Sequence, residues 1–189
     1  MVILIHGRNS APANILDLLP RLERPQFSYL APAAANKTWY PLTFLADIEQ
    51  NEPYLTSAIR RIDDVFAEVV ASGVPRHRVI LMGFSQGACL AAEFSYRRAG
   101  RLGAVAIFSG GLIGPPGTAW RADRSLGGTP IFLGCSDVDA HVPRVRVAES
   151  AQVFEAMGAR VTERIYPGMG HLVNDDEIEA ARGLLDSVQ

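Results

Sequence analysis

Short apolar runs alternate along this chain with segments that carry helical periodicity or helix-boundary signals. Aliphatic and aromatic residues dominate six runs, at 2–5, 27–30, 79–83, 104–109, 130–135 and 161–166. Helices are predicted between them at 11–22, 51–71, 86–98, 145–157 and 175–188. Because buried parallel strands are apolar throughout and are joined by crossover helices, this alternation predicts an α/β fold. We expect a mostly parallel open sheet of about six strands with helices on both faces.

The helix at 51–71 has the clearest periodicity, and Gly73 and Pro75 mark its end. Its apolar positions recur near a spacing of 3.6 residues, at Ile59, Ile62, Val65, Phe66, Val69 and Val70. The chain contains no internal repeat, low-complexity tract or linker. A length of 189 residues suits one domain, so we expect 1–189 to form a single unit.

Two long segments, 32–49 and 110–128, show neither helical nor strand periodicity. Each follows the carboxyl end of a predicted strand, where open α/β sheets bind their ligands. Long loops in small domains are usually functional. Both segments contain aromatic residues, namely Trp39, Tyr40, Phe44 and Trp120. These aromatics either line a site or cover the edge of the sheet, and the pattern alone does not choose between the two.

Composition excludes several classes of function. Eighteen Lys and Arg residues against 20 Asp and Glu give a formal net charge of −2, so no large positive field is available for nucleic acid. Cys89 and Cys135 lie singly in apolar runs, which indicates buried thiols. The start, MVILIHG, lacks the features of an export signal, and no run approaches the roughly 18 apolar residues of a membrane span. We therefore expect a cytoplasmic protein that binds neither nucleic acid nor membrane.

The segment at 83–87, GFSQG, is the most informative motif. It is a G-x-S-x-G between an apolar strand and a small-residue helix, the arrangement of a nucleophile elbow. The turn is too tight for side chains at its flanking glycines. The helix that follows directs the positive end of its dipole at Ser85, where an oxyanion would develop during acyl transfer.

A serine nucleophile needs a histidine to accept its proton and an acid to orient that histidine. His171 follows the last predicted strand and precedes the last helix, which is the position expected for the base. The acid should follow the preceding strand, where Asp137 and Asp139 are equivalent by periodicity. A metal cluster of His6, His141, His171 and Asp139 is the alternative, but it lacks the H-E-x-x-H spacing and leaves the elbow unexplained.

Four motifs resemble the phospholipase/carboxylesterase family of α/β-hydrolases. They are VILIHG at 2–7, GFSQG at 83–87, D-x-x-V-P at 139–143 and G-x-G-H at 168–171. The resemblance implies a minimal α/β-hydrolase fold without a cap domain. It also implies Ser85 as nucleophile, Asp139 as acid, His171 as base, and the backbone N–H groups of Arg8 and Gln86 as the oxyanion hole. WYP at 39–41 and EP at 52–53 resemble the bacterial esterase branch.

The chain departs from that family in two respects. Where many members read H-G-x-G, this chain reads His6, Gly7, Arg8 and Asn9, so its loop lacks the last glycine. The chain also begins at the HG strand, as either a minimal native protein or a trimmed one. An uncovered edge of that first strand, or missing helix cover, would leave apolar surface suited to self-association, and a homodimer is a hypothesis.

The expected function is hydrolysis of small to medium acyl esters through an acyl-enzyme, without metal or other cofactor. We expect an apolar, shallow pocket that has no cationic cluster and is lined by Trp39, Tyr40, Leu112, Ile113, Trp120 and Met169. The same triad would serve an acyl-thioesterase or a lysophospholipase, because only the loops of the pocket differ. A different class, a fold relative that binds a small molecule without turnover, is the further alternative.

Overall fold

A computed structural model describes residues 1–188, which contain a six-stranded, entirely parallel sheet. The strands are β1 (Val2–Ile5), β2 (Tyr29–Leu30), β3 (Ile80–Phe84), β4 (Ala104–Phe108), β5 (Pro130–Ser136) and β6 (Arg160–Tyr166). Their order across the sheet is β2-β1-β3-β4-β5-β6. All six predicted strands are present, and the predicted α/β class is confirmed. The carboxyl ends of the strands share one edge of the sheet, where the loops that follow them can meet.

In the described residues, 1–188, six α-helices accompany the sheet. They are α1 (Pro12–Leu16), α2 (Leu19–Leu22), α3 (Tyr54–Ala71), α4 (Gln86–Arg97), α5 (Arg144–Ala156) and α6 (Asp175–Asp186). The helix predicted at 11–22 is wrong as one element. Pro20 cannot donate a hydrogen bond to the carbonyl of Leu16, and its ring would clash with that carbonyl, so the segment forms two short helices.

The core consists of two layers, one on each face of the sheet. Along β1, Ile3 and Ile5 pack into the layer formed with α3, α4 and α5, whereas Val2 and Leu4 pack into the layer formed with α1, α2 and α6. Alternate residues of a strand point to opposite faces, and both faces of β1 are buried. This explains why β1 is apolar at every position.

The expected free edge of the first strand is wrong. β1 lies inside the sheet, hydrogen-bonded to β2 through Val2 and Ile3 on one side and to β3 on the other. The two-residue β2 forms that edge. The argument for self-association therefore loses its premise, and the homodimer stays a hypothesis.

Both long loops lack β-strands and α-helices, as predicted, and two 3₁₀ turns (Ala35–Lys37 and Ile48–Asn51) occur in and just after the first loop. The aromatics of that loop are not exposed: Trp39, Tyr40 and Phe44 belong to the core on the α3–α4–α5 face. The thiols of Cys89 and Cys135 are free and buried, as expected. Within residues 1–188, no helix is both long and apolar enough to cross a bilayer.

Candidate active site

Ser85 occupies the turn between β3 and α4 in a strained backbone conformation. Its φ of 56° is one that residues other than glycine rarely adopt, and such conformations cost on the order of 1–3 kcal/mol. The flanking glycines permit the turn. A Cβ on Gly83 would lie 2.3 Å from the carbonyl oxygen of Gly87, and one on Gly87 would lie 2.0 Å from that of Ile5. The sequence motif therefore corresponds to a real steric requirement.

Ser85, His171 and Asp139 form a continuous hydrogen-bonded chain at the carboxyl edge of the sheet. His171 Nε2 lies 2.9 Å from Ser85 Oγ, and His171 Nδ1 lies 2.7 Å from Asp139 Oδ2. An ionised carboxylate can only accept, so the ring proton belongs on Nδ1. Nε2 is then free to accept a proton from the serine.

Asp139 is held as an anion under the imidazole. Burial acts to raise the pKa of its carboxyl, but hydrogen bonds from His171 and from the N–H groups of His141 and Val142 outweigh burial and leave the pKa below its usual value. Those two backbone groups donate to Oδ1 over 2.8 and 3.0 Å. One oxygen of Asp139 is thus bound by its own turn, and the other faces His171.

Asp137, the second acid that periodicity left open, has a different location. Its side chain is exposed, and its Oδ1 accepts a hydrogen bond from the N–H of Gly168 over 2.8 Å. This contact fastens the turn that follows β6. The geometry therefore places Asp139, and not Asp137, at His171.

Ser136 joins the loops that carry the acid and the base, a role that the sequence analysis missed. Its buried Oγ accepts hydrogen bonds from the N–H of Gly170 at 3.0 Å and from that of Val138 at 3.2 Å. Gly170 immediately precedes His171 and has a φ of 78°. The only sequence signal was a hydroxyl at the end of a buried strand, which does not specify a partner 34 residues away.

The backbone N–H groups of Arg8 and Gln86 have no acceptor within residues 1–188. Gln86 is the first residue of α4, so its N–H is one of the free donors of a helix start. Its side chain is fixed to the loop above it, accepting from the N–H of Trp39 at 3.0 Å and donating to the carbonyl of Tyr40 at 2.8 Å. The arrangement leaves both donors available to an oxyanion.

Asn9 adopts a left-handed backbone conformation in the loop that follows β1. Its φ is 56°, a value that asparagine tolerates better than most residues, and its N–H donates to the carbonyl of Lys37 over 2.8 Å. The guanidinium of Arg8 donates to the carbonyls of Pro41, at 2.6 Å, and Leu42. The loop after β1 is thus secured to the 32–49 loop.

A cavity of about 650 Å³ opens above Ser85 and His171. Its walls come from residues 7–10, 40–44, 84–86 and 141–142, with Cys89 at its base. Burial raises the pKa of the Cys89 thiol to about 12, so this sulfur is an inert part of the wall. The sequence analysis missed the apolar members Pro41, Leu42, Phe44, Phe84 and Val142.

Most of the expected pocket residues lie elsewhere. Tyr40 lines the cavity, whereas Trp39 lines an adjoining one of about 490 Å³ against α3. Leu112 and Ile113 are wrong as pocket residues because their side chains are fully buried in the core.

Trp120 and Met169 are also outside the cavity above Ser85. Trp120 stacks 4.9 Å from the guanidinium carbon of Arg146 and faces a separate depression beside α5. Met169 contacts Asn174, whose side-chain amide donates to its sulfur. Arg8 brings a single guanidinium to the wall of the cavity above Ser85.

The remaining histidines have distinct settings. His6 is buried, with Nδ1 2.8 Å from the carbonyl of Gly7 and Nε2 accepting from the N–H of Ala34. His141 lies at the cavity wall, edge-on to His171 with ring centroids 4.9 Å apart. His77 is exposed on a 3₁₀ turn. No group of three or more potential metal ligands occurs in the described part of the chain.

Comparison with known proteins adds an independent result. The sequence model of a family described as Phospholipase/Carboxylesterase matches residues 1–189. A phospholipase/carboxylesterase from Dyadobacter fermentans has a similar structure, with a TM-score of 0.92 and 37% identity, and the match covers 97% of this chain and 88% of that one. The structure of esterase PE8, 24% identical with a TM-score of 0.83 over all of this chain and 92% of its own, has the same fold.

Two curated relatives also match the chain. Acyl-protein thioesterase 1 of Saccharomyces cerevisiae is 28% identical over 127 residues, which cover 65% of this chain and 55% of the relative. A probable carboxylesterase of Arabidopsis thaliana is 24% identical over 198 residues, which cover 94% of this chain and 74% of the relative. The chain spans little more than half the length of the thioesterases it matches.

Proposed function

The chain belongs to the phospholipase/carboxylesterase family, and from this premise we propose that it is a serine hydrolase of small to medium carboxylic esters, acting through an acyl-enzyme on Ser85. One observation carries the proposal. Ser85 Oγ, both nitrogens of His171 and Asp139 Oδ2 lie in one hydrogen-bonded series of 2.9 and 2.7 Å. That series is the arrangement that converts a weakly nucleophilic hydroxyl into an attacking group.

The first half of the reaction forms the acyl-enzyme. Ser85 Oγ attacks the ester carbonyl carbon while His171 Nε2 accepts its proton, and the C=O π pair moves to oxygen. The adjacent, ionised Asp139 stabilises the imidazolium, and its low pKa keeps it ionised across the neutral range. Collapse of the tetrahedral intermediate breaks the bond to the alcohol oxygen, which leaves with the proton from His171.

The developing oxyanion is stabilised by the backbone N–H groups of Arg8 and Gln86. Both are free of other acceptors within residues 1–188, so they need not break a hydrogen bond before they bind the oxyanion. Preorganised donors of this kind contribute about 3–4 kcal/mol each in acyl transfer. In the second half, water attacks the acyl-enzyme with His171 again acting as base, and the acid product leaves.

A thioesterase is the second candidate. The yeast relative bears the name acyl-protein thioesterase, and a thiol can leave from the same intermediate as an alcohol. The open cavity of about 650 Å³ supports a preference for small and medium acyl groups in either case. A lysophospholipase would need the cavity to receive a long chain.

The test is covalent labelling with a fluorophosphonate, read by mass spectrometry, together with hydrolysis of 4-nitrophenyl acetate. We expect one label per chain on Ser85, and a loss of about 10⁴- to 10⁶-fold in kcat for Ser85→Ala with the fold intact. Ser95→Ala is the matched control: this serine lies on α4 and donates to the carbonyl of Ala91. Labelling elsewhere, or full activity of Ser85→Ala, would contradict the proposal. A folded protein that neither labels nor turns over ester would favour a binding protein.

A further inference from the structure

We propose that the guanidinium of Arg8 selects esters that carry a carboxylate, so that the natural substrate is an anionic ester. The inference rests on the proposed ester hydrolysis and adds the chemical class of the substrate. Arg8 lies in the loop that follows β1 and lines the cavity that contains Ser85. Its guanidinium donates to the carbonyls of Pro41 and Leu42, which line the same cavity, so its charge is held at the cavity wall.

The positive charge of Arg8 has no counter-ion in the described chain. No carboxylate of residues 1–188 forms an ion pair with it, and its acceptors are the uncharged carbonyls of Pro41 and Leu42. The walls of the cavity include no Asp or Glu. Asp139, the acid that contacts His171, is hydrogen-bonded to that histidine and has a fully buried side chain. An anion entering the cavity thus meets an uncompensated cation and no opposing negative wall.

The guanidinium also retains donors for such an anion. It has five N–H groups in a fixed planar fork, and two contacts to carbonyls leave three of them. The two carbonyls hold the fork at the cavity, which reduces the conformational entropy lost when a ligand binds. An arginine that is held in place and keeps free N–H donors suits a carboxylate, because the planar guanidinium can donate to both carboxylate oxygens.

The other polar side chains at the cavity are neutral or basic. Asn9, Thr43 and His141 line it together with Arg8, and each can donate a hydrogen bond to a carboxylate oxygen. Ser10 lines it too, but its hydroxyl donates to Asn14 Oδ1. The cavity is also lined by the apolar side chains of Leu42, Phe44 and Val142, which can contact the hydrocarbon part of the same substrate. The cavity is therefore suited to a short acyl or alcohol group that ends in a carboxylate.

A purely structural role for Arg8 is the competing explanation. Its two hydrogen bonds secure the 32–49 loop, so a substitution there will disturb the site for every ester. The ratio of kcat/KM for an anionic ester to that for its neutral counterpart separates the two roles. If the hydrogen bonds of Arg8 to the loop matter only for structure, their loss lowers kcat/KM for the anionic and the neutral ester together. If the charge of Arg8 recognises the substrate, its loss lowers kcat/KM for the anionic ester only.

The experiment compares two substrate pairs, corrected for uncatalysed hydrolysis. Mono-4-nitrophenyl glutarate against 4-nitrophenyl valerate tests a carboxylate in the acyl part, and 4-acetoxybenzoate against phenyl acetate tests one in the alcohol part. We expect one pair to favour the anion, and Arg8→Gln to reduce that ratio about tenfold or more. Arg8→Lys should retain part of the ratio, and 0.5 M NaCl should lower it in the unaltered protein.

Arg60→Gln is the control, since it removes the same charge from an exposed position on α3 outside the cavity. The control should leave the ratio unchanged. If neither pair favours the anion, or Arg8→Gln lowers both members of a pair equally, the inference is wrong while ester hydrolysis stands. If Ser85 fails to label and no ester is hydrolysed, the proposed function itself is wrong.

Discussion

Replacing Asp139 with Asn is expected to disable His171 through its tautomer, and the hydrogen bonds around Asp139 show how. The N–H groups of His141 and Val142 both donate to Oδ1. An asparagine keeps these contacts only if its amide oxygen occupies the Oδ1 position. Its NH₂ group then takes the position of Oδ2 and points at His171 Nδ1, which must become an acceptor. The ring proton moves to Nε2, which faces Ser85 and can no longer take the proton of the serine.

The magnitude follows from losing the general base while the oxyanion donors remain. Such a change of tautomer is worth about 10²- to 10⁴-fold in kcat, or about 3 to 5 kcal/mol. Turning the amide over would restore the tautomer. It would also direct the NH₂ group at two N–H donors in a buried place, at a cost of about 1–3 kcal/mol. Both routes lower the rate, so the variant should fold normally and hydrolyse slowly.

Asp137→Asn is the matched control. Its Oδ1 accepts from the N–H of Gly168, and an amide oxygen can do the same on an exposed turn. We expect a loss below tenfold. The assay is steady-state hydrolysis of 4-nitrophenyl acetate, with the rate of fluorophosphonate labelling as a second measure of serine reactivity. A larger loss for Asp137→Asn than for Asp139→Asn would refute this reasoning.

The remaining predictions concern stability and substrate size. Burial raises the pKa of Glu177 from 4.5 to about 7, because the side chain lies against Gly134 and one carboxyl oxygen has no partner. Because this pKa is higher in the folded than in the unfolded state, Glu177 contributes at most about 3 kcal/mol to the free energy of unfolding below pH 4.5. This contribution is lost as the pH rises to about 7. Glu177→Gln should remove this part of the decline in urea-unfolding free energy between pH 4.5 and 8; an unchanged decline would contradict the assignment. For 4-nitrophenyl esters, kcat/KM should peak at short to medium acyl chains and fall for palmitate, since each methylene adds about 0.8 kcal/mol only while it is buried. A preference for long-chain or micellar substrate would favour the lysophospholipase.

The elements of the sheet could be predicted because their signal is local. Strands such as β1 are apolar at every position since both their faces are covered, and α3 shows its buried face as a repeat of 3.6 residues. The nucleophile elbow could also be predicted, because steric crowding at Gly83 and Gly87 admits almost no residue other than glycine. These features depend on residues that are close together in the sequence, so they can be recognised from the sequence alone.

The contacts of the loops depend on residues far apart in the chain, and the sequence does not record which of them meet. Periodicity could not separate Asp137 from Asp139; the structure does so because one aspartate turns toward Gly168 and the other toward His171, 32 residues away. The same reason explains Leu112, which an apolar loop suggested for the pocket but which packing within the core buries completely.

The sequence by itself determined the parallel sheet, the strained serine turn and the histidine that follows the last strand. Tertiary structure alone decided which carboxylate bonds that histidine, which apolar side chains line the cavity, and that Arg8 lines it with no counter-ion among residues 1–188. The physical reason is that periodic burial repeats every two or 3.6 residues and is visible locally. A loop has no such repeat, and its side chains are directed by whichever donors, acceptors and apolar surfaces the rest of the chain brings near.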